Sequence, residues 1–215
     1  EETDAYFNQT VSDGHNRRTI LKLAALFHDI SKPQTKHQDE TGRTRFPGHS
    51  EAGAEVAKQR LSRLKLSSKG IGMVYKMVEQ HLRPYNMMQG VEVPTNRAIY
   101  RFFRDLDDVA VDTLYLSQAD FLAAKGPELN PDDWANHARM ITHIFQVGFQ
   151  PALPEAALRL INGNELIEHF KLAPGPLVGL LLEGINEAQA AGEISTTEQA
   201  WDLAGKIMLQ QTDEA

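Results

Sequence analysis

The 215-residue chain contains no cysteine. Disulfides, thiolate zinc sites and cysteine nucleophiles are therefore excluded, and any metal must be held by histidine and carboxylate. The same absence fits a cytoplasmic protein. Long apolar runs are missing too. The longest, Leu177 to Leu182, ends at Glu183, far short of a membrane span. The N-terminus carries no secretory pattern, and no segment shows strand-like alternation. Excess positive charge is also lacking, because the net charge of −7 argues against nucleic-acid binding by the whole surface. A local basic groove is compatible with that charge. Arg97, Arg101 and Arg104 recur at helical spacing, which reads first as a solvated helix face and second as a basic stripe for RNA.

Helical periodicity dominates what is present. Ile20, Leu23, Leu26, Phe27 and Ile30 form an apolar stripe at three- and four-residue steps. Ser50 is expected to cap a helix running to Leu64, and a further helix is expected from Lys69 to Leu82. Others begin at Pro94-Thr95, at Asp107 or Asp108, and at Pro131. Residues 34–48 read as a loop. The fold class expected is all-α, with a bundle over 1–150, a small helical tail over 151–215, and the boundary between Gly148 and Pro154. The chain opens at Glu1 rather than Met, which reads as a piece of something longer.

The chemistry concentrates in Leu23-Ala24-Ala25-Leu26-Phe27-His28-Asp29-Ile30-Ser31-Lys32-Pro33. An imidazole and a carboxylate sit side by side at the end of an apolar helix, an expensive placement unless a cation offsets the burial. Pro33 biases that helix to end near Lys32. His49 lies at the mouth of the next expected helix, where Ala52, Gly53 and Ala54 allow close approach to the dyad helix. His81 ends its helix, and Asp120 lies in an apolar one, where a carboxylate needs a cation or a hydrogen-bond partner. The remaining histidines, His37, His137, His143 and His169, read as ordinary.

The order His-Asp, Gly-His with Gly-Ala, His, then Ala-Asp resembles the HD superfamily of metal-dependent phosphohydrolases. The dyad segment is similar to the version in bacterial tRNA nucleotidyltransferases and poly(A) polymerases that carry an HD domain. So are Phe46-Pro47-Gly48-His49, Leu64-Lys65-Leu66-Ser67, and the tail from Ile161-Asn162-Gly163-Asn164-Glu165-Leu166 through Pro174-Gly175-Pro176 to Gly192-Glu193-Ile194-Ser195-Thr196. The resemblance implies an HD helical bundle with metal ligation by His28, Asp29 and Asp120. It implies a second ion completed by His49 and His81, with Asp29 bridging. Asp29 and Lys32 become the catalytic candidates, and Lys32 and Arg83 the groups offered to a substrate phosphate. Imidazole and carboxylate ligands suit one or two ions of Mn, Fe, Co, Ni or Zn better than Mg alone.

Two departures from the family pattern stand out. Ser31 replaces the usual glycine, and the histidine expected on the helix before the dyad has only His15 as a candidate. The function implied is a divalent-metal phosphohydrolase, a phosphodiesterase or phosphatase, acting on a phosphate-containing small molecule such as a nucleotide, or on an RNA end. The alternative is a catalytically impaired HD body and tail of a tRNA nucleotidyltransferase-like protein that supports RNA binding. No Gly-Ser followed by an Asp-x-Asp pair occurs, so the chain as given is not expected to add nucleotides by itself.

Overall fold

The computed structural model describes residues 2–88, 93–149 and 160–213. Most of the boundary expected between Gly148 and Pro154 lies outside the described residues. Helix α1 (Glu2–Asn8) leads into a short antiparallel ribbon of β1 (Thr10–Ser12) and β2 (His15–Asn16). Asn16 then caps α2 (Arg17–Phe27), its side chain accepting from the Thr19 amide at 3.0 Å. Helix α3 (Lys32–Thr35) is a single turn, followed by a second ribbon of β3 (His37–Gln38) and β4 (Thr44–Arg45). Next come α4 (His49–Arg63), α5 (Ser68–Gln80) capped by Ser67, and the short α6 (Arg83–Asn86). Helix α7 (Asn96–Leu106) leads through a 3-10 turn (Asp107–Val109) to α8 (Ala110–Lys125) and α9 (Pro131–Gly148). The last three are α10 (Gly163–Phe170), α11 (Pro176–Ala190) and α12 (Thr197–Asp213). The protein is all-α, apart from the two ribbons.

The described residues group spatially into two units, one of 1–93 and 104–142, the other of 94–103 and 143–215. In the first, α2 and α5 pack on each other, and each also packs on α4 and α8. Ile20, Ala24, Ala54, Ala57, Leu61, Val74, Met77, Val78 and Leu114 fill their shared core. In the second, Ile161, Leu166, Val178, Leu181, Ile185, Ala200 and Ala204 form a core among the last three helices. Asn162 and Glu165 make a reciprocal capping box at the start of α10. Among the described residues, no helix is long and apolar enough to cross a membrane.

Three local expectations need correcting. Helix α2 stops at Phe27 with His28 as its C-cap, and Pro33 sits inside the first turn of α3 instead of ending α2. A proline in a first helical turn loses no hydrogen bond, so it starts a helix as readily as it ends one. Gly48, not Ser50, caps α4, because its φ of +70° turns the chain in a way that suits glycine. Leu26, placed in the apolar stripe, is 71% exposed, because the face that packs is Ile20, Ala24 and Phe27.

Close approach of α4 to the end of α2 is visible at Gly53. A Cβ there would lie 3.4 Å from Val78 Cγ1 and 3.5 Å from the His28 carbonyl oxygen. Gly53→Ala should change stability by less than about 1 kcal/mol, because better helix propensity offsets the crowding. Gly53→Val should cost about 1–3 kcal/mol by overpacking. Urea unfolding of the two variants checks the contrast.

Candidate metal centre

Each candidate histidine sits at a helix end. His28 is the C-cap of α2, His81 the C-cap of α5, and His49 the first residue of α4. All three rings are oriented in the same way. His28 Nδ1 lies 2.8 Å from the Ala25 carbonyl, His49 Nδ1 2.7 Å from that of Phe46, and His81 Nδ1 2.7 Å from that of Val78. A carbonyl only accepts, so each Nδ1 carries the proton and donates, and each Nε2 is turned toward the common centre. This backbone partner on the far ring nitrogen is the usual support of a metal-binding imidazole.

Two ligand sets meet at Asp29, each with its donor atoms within 4.8 Å of one another: Asp29 with His49 and His81, and His28 with Asp29 and Asp120. Asp29 Oδ1 is 3.4 Å from His49 Nε2 and 3.9 Å from His81 Nε2. Asp29 Oδ2 is 3.4 Å from His28 Nε2, which is also 3.3 Å from Asp120 Oδ1. Two ligands bonded at about 2.1 Å to one ion stand roughly 3.0–3.5 Å apart, so these separations fit a shared cation with little adjustment. Three atoms need such a partner: Asp29 Oδ1, His49 Nε2 and His81 Nε2 are buried without a hydrogen-bond partner. The residues present therefore suit a divalent ion.

The electrostatics agree. Burial would raise the Asp29 carboxyl, but hydrogen bonds from His28 and Lys32 outweigh it and hold Asp29 well below the usual carboxylate range. The hydrogen bond from His28 also lowers Asp120, so both carboxylates are ionised at neutral pH. Burial pushes the His81 imidazole down, leaving it neutral with a free Nε2 lone pair. His28 differs. Burial opposes its protonation, but Asp120 and Asp29 outweigh that and lift it to about 10.

The six residues His28, Asp29, Lys32, His49, His81 and Asp120, dispersed over 28–120 in the sequence, are thus brought together. Lys32 Nζ donates to Asp29 Oδ2 at 2.5 Å. Arg83, expected beside a substrate phosphate, instead donates to Asp105 Oδ2 at 2.7 Å. His15 is exposed on β2 and belongs to neither ligand set. The arginines of the basic stripe are each matched by acid. Arg97 pairs with Glu193, Arg101 with the buried carboxylate of Glu187, and Arg104 with Asp105. His137, read from the sequence as ordinary, is buried in the structure. It is 7% exposed, its ring stacks on Phe121 at 4.2 Å, and its Nε2 is buried without a partner. Its place two turns into α9 beside the residue following Asp120 carried no sequence signal, since nothing in the pattern pairs α9 with α8.

The model of the HD domain family matches residues 6–124, a stretch that contains every member of the two ligand sets. The chain belongs to the HD domain family. Among curated relatives, it is 36% identical over 83% of its length to a CC-adding tRNA nucleotidyltransferase of Thermus thermophilus. It is 33% identical over 84% of its length to an A-adding tRNA nucleotidyltransferase of Deinococcus radiodurans. A CC-adding tRNA nucleotidyltransferase of Synechocystis is 30% identical over 73% of the chain. This HD-domain chain spans only 38%, 40% and 34% of the lengths of those three relatives. Their matches reach beyond 6–124, so the likeness extends past the HD domain itself.

Proposed function

We propose that this chain is a divalent-metal-dependent phosphohydrolase, a phosphodiesterase or phosphatase acting on nucleotides or RNA ends. The single observation that carries the reading is the convergence of three buried, unpartnered ligand atoms on one point: Asp29 Oδ1, His49 Nε2 and His81 Nε2. His28 and Asp120 extend the ligand set on the other side of Asp29. The phosphohydrolase body corresponds to 1–150 and the supporting tail to 151–215. Mixed imidazole and carboxylate donors suit Mn, Fe, Co, Ni or Zn. A bound ion would lower the pKa of water and draw charge from a phosphoryl oxygen.

The chain's own residues supply the rest. Asp29, held ionised by His28 and Lys32, anchors the centre from both oxygens. Lys32 is one-third exposed, so its ammonium can meet a phosphoryl oxygen while still touching Asp29. The Nδ1 anchors of the three imidazoles keep their Nε2 atoms aimed inward, so the site needs no rearrangement before substrate arrives.

The test is elemental analysis of chelator-free protein, followed by a turnover screen on cyclic nucleotides and phosphate monoesters. One or two transition-metal ions per chain and metal-dependent turnover are expected, both lost in a His28→Ala/Asp29→Ala control. Failure to bind added Mn or Ni, or metal-loaded protein that hydrolyses nothing in the panel, would sink the hydrolase. The second reading would then stand: an HD body supporting RNA binding within a tRNA nucleotidyltransferase-like protein. The names of the relatives, and the part of their length that this chain spans, favour that alternative.

A further inference from the structure

The connection from α3 to α4 is longer than joining two helices requires. It runs from Lys36 to Gly48, where most connections in compact domains take roughly 4–6 residues. Both its ends are rooted in the candidate centre. Asp29 and Lys32 lie just before it, and the Phe46 carbonyl that orients His49 lies near its close. Between them, β3 and β4 form a ribbon whose strand residues are all exposed. A two-stranded ribbon with no buried face has little to hold it. Here the turn is locked from within. Asp39 accepts from the Thr41 amide at 3.0 Å, the Thr41 hydroxyl at 2.6 Å, the Arg43 amide at 3.0 Å and Arg45 Nε at 2.8 Å. The ribbon is a preformed arm standing in solvent beside the centre.

Its two faces differ. The register pairs His37 with Arg45 and Gln38 with Thr44. Side chains alternate between faces, so His37, Asp39, Arg43 and Arg45 share one, and Lys36, Gln38, Thr44 and Phe46 share the other. The ion pair of Arg45 with Asp39 agrees with that alternation, and Lys36 already has extended backbone. On the second face, the side chains of Lys36, Gln38 and Thr44 have no hydrogen bond or ion pair among the described residues. Phe46 joins this face to the centre, its ring 5.6 Å from Lys32 Nζ. Lys36 also follows Lys32 across the single turn of α3, a spacing that sets Cβ atoms about 5–6 Å apart. That is the scale of the step between neighbouring phosphates of a single strand. Residues 32–45 hold four basic and two acidic side chains in a chain of net charge −7, so this track reverses the prevailing sign.

We propose that this face of the ribbon holds the backbone of a single-stranded RNA whose end reacts at the centre. Lys36 meets the phosphate next to the reacting one, and Gln38 and Thr44 bond phosphate or ribose oxygens further along the strand. The preferred substrate is then an RNA end, because a mononucleotide lacks the second phosphate. The proposal rests on the phosphohydrolase reading for the reaction at the terminal phosphate, whereas the strand contact is measurable without turnover.

Fluorescence anisotropy of a labelled hexauridylate ending in a slowly hydrolysed 3′-phosphorothioate, in Mn²⁺ and across a salt series, tests the contact. The wild type should bind it at least about tenfold tighter than uridine 3′-monophosphate in competition. Lys36→Gln should weaken the hexamer by about tenfold and lower the salt slope by about 0.7, the value for one single-strand phosphate contact. Thr44→Lys, which adds a charge to the same face, should tighten the hexamer and steepen the slope. Arg43→Gln removes a charge from the opposite face and should leave affinity and slope at wild-type values. Equal losses in Lys36→Gln and Arg43→Gln, or a monophosphate bound as tightly as the hexamer, would overturn the proposal while leaving a hydrolase of small substrates intact. A hexamer that binds as expected, yet is never cleaved when its end is an ordinary phosphate, would sink the hydrolase and support the strand contact.

Discussion

Asp29→Asn is expected to lower divalent-ion affinity by more than about a hundredfold, beyond the 10–100-fold usual for losing an outer-shell partner. The substitution keeps the shape of the side chain, so steric repacking does not enter. What changes is charge and acceptor capacity. Asp29 is the only residue common to both ligand sets, using Oδ1 toward His49 and His81 and Oδ2 toward His28 and Lys32. An amide would present a hydrogen-bearing nitrogen to one of those sides and no negative charge to either. The metal-free variant should melt close to the wild type, because the lost pair with Lys32 is more than one-third exposed on the lysine side and contributes little. Calorimetric titration with Mn²⁺ reads the affinity, and thermal unfolding in chelator reads the fold. Affinity within tenfold of wild type would mean that Asp29 is not a ligand.

The second large effect lies away from the centre. Arg17→Met should destabilise the protein by about 3–5 kcal/mol, the usual loss when one partner of a buried ion pair is removed. Asp112 is fully buried on α8 and accepts from Arg17 Nη1 at 2.8 Å and from the Tyr6 hydroxyl at 2.7 Å. Arg17 also donates to the Asp108 carbonyl at 2.8 Å and pairs with the Asp108 side chain. Burial raises the Asp112 carboxyl even against the lowering effect of Tyr6 and Arg17, so its charge depends on those partners. Removing the guanidinium leaves that charge without compensation. Asp112→Asn added to Arg17→Met should recover part of the loss, since the buried group is then neutral. Urea unfolding of the single and double variants measures this, and a loss under about 1 kcal/mol for the single variant would show that the pair carries little.

The same network aligns the candidate centre. Arg17 begins α2 and Asp112 lies in the first turn of α8, whereas His28 ends α2 and meets Asp120 two turns further along α8. The two helices therefore run in the same direction, pinned at their starts by one ion pair and joined near their ends by the other.

Much of this is legible in the sequence. His28, Asp29, His49, His81 and Asp120 could be singled out because each pairs a ligand type with small or apolar neighbours, and helical periodicity placed them on four expected helices, with His28 and Asp29 sharing one. Gly53 behind His49 gave the close approach directly. The missing parts share one cause, dependence on partners far away in the chain. Arg17 sits in Asn16-Arg17-Arg18, which resembles any solvated helix start, and its acid lies 95 residues away. Arg97 and Arg101 read as a stripe of positive charge until Glu193 and Glu187, 96 and 86 residues on, are seen beside them. One helix start, that of α4, failed for a local reason. Serine is a frequent cap, but Gly48 could take a left-handed φ that Ser50 could take only with strain.

The placement of the three imidazoles at helix ends has an electrical consequence. Aligned peptide dipoles leave about half a negative charge at a helix's carboxyl end and half a positive charge at its amino end. Helices α2 and α5 deliver their carboxyl ends to the centre, and α4 delivers its amino end. The scaffold thus creates a graded potential, inviting to a cation on the flank of α2 and α5 and to an anion on the flank of α4. A metal and a phosphate arriving together would be sorted by the backbone before any side chain chose between them.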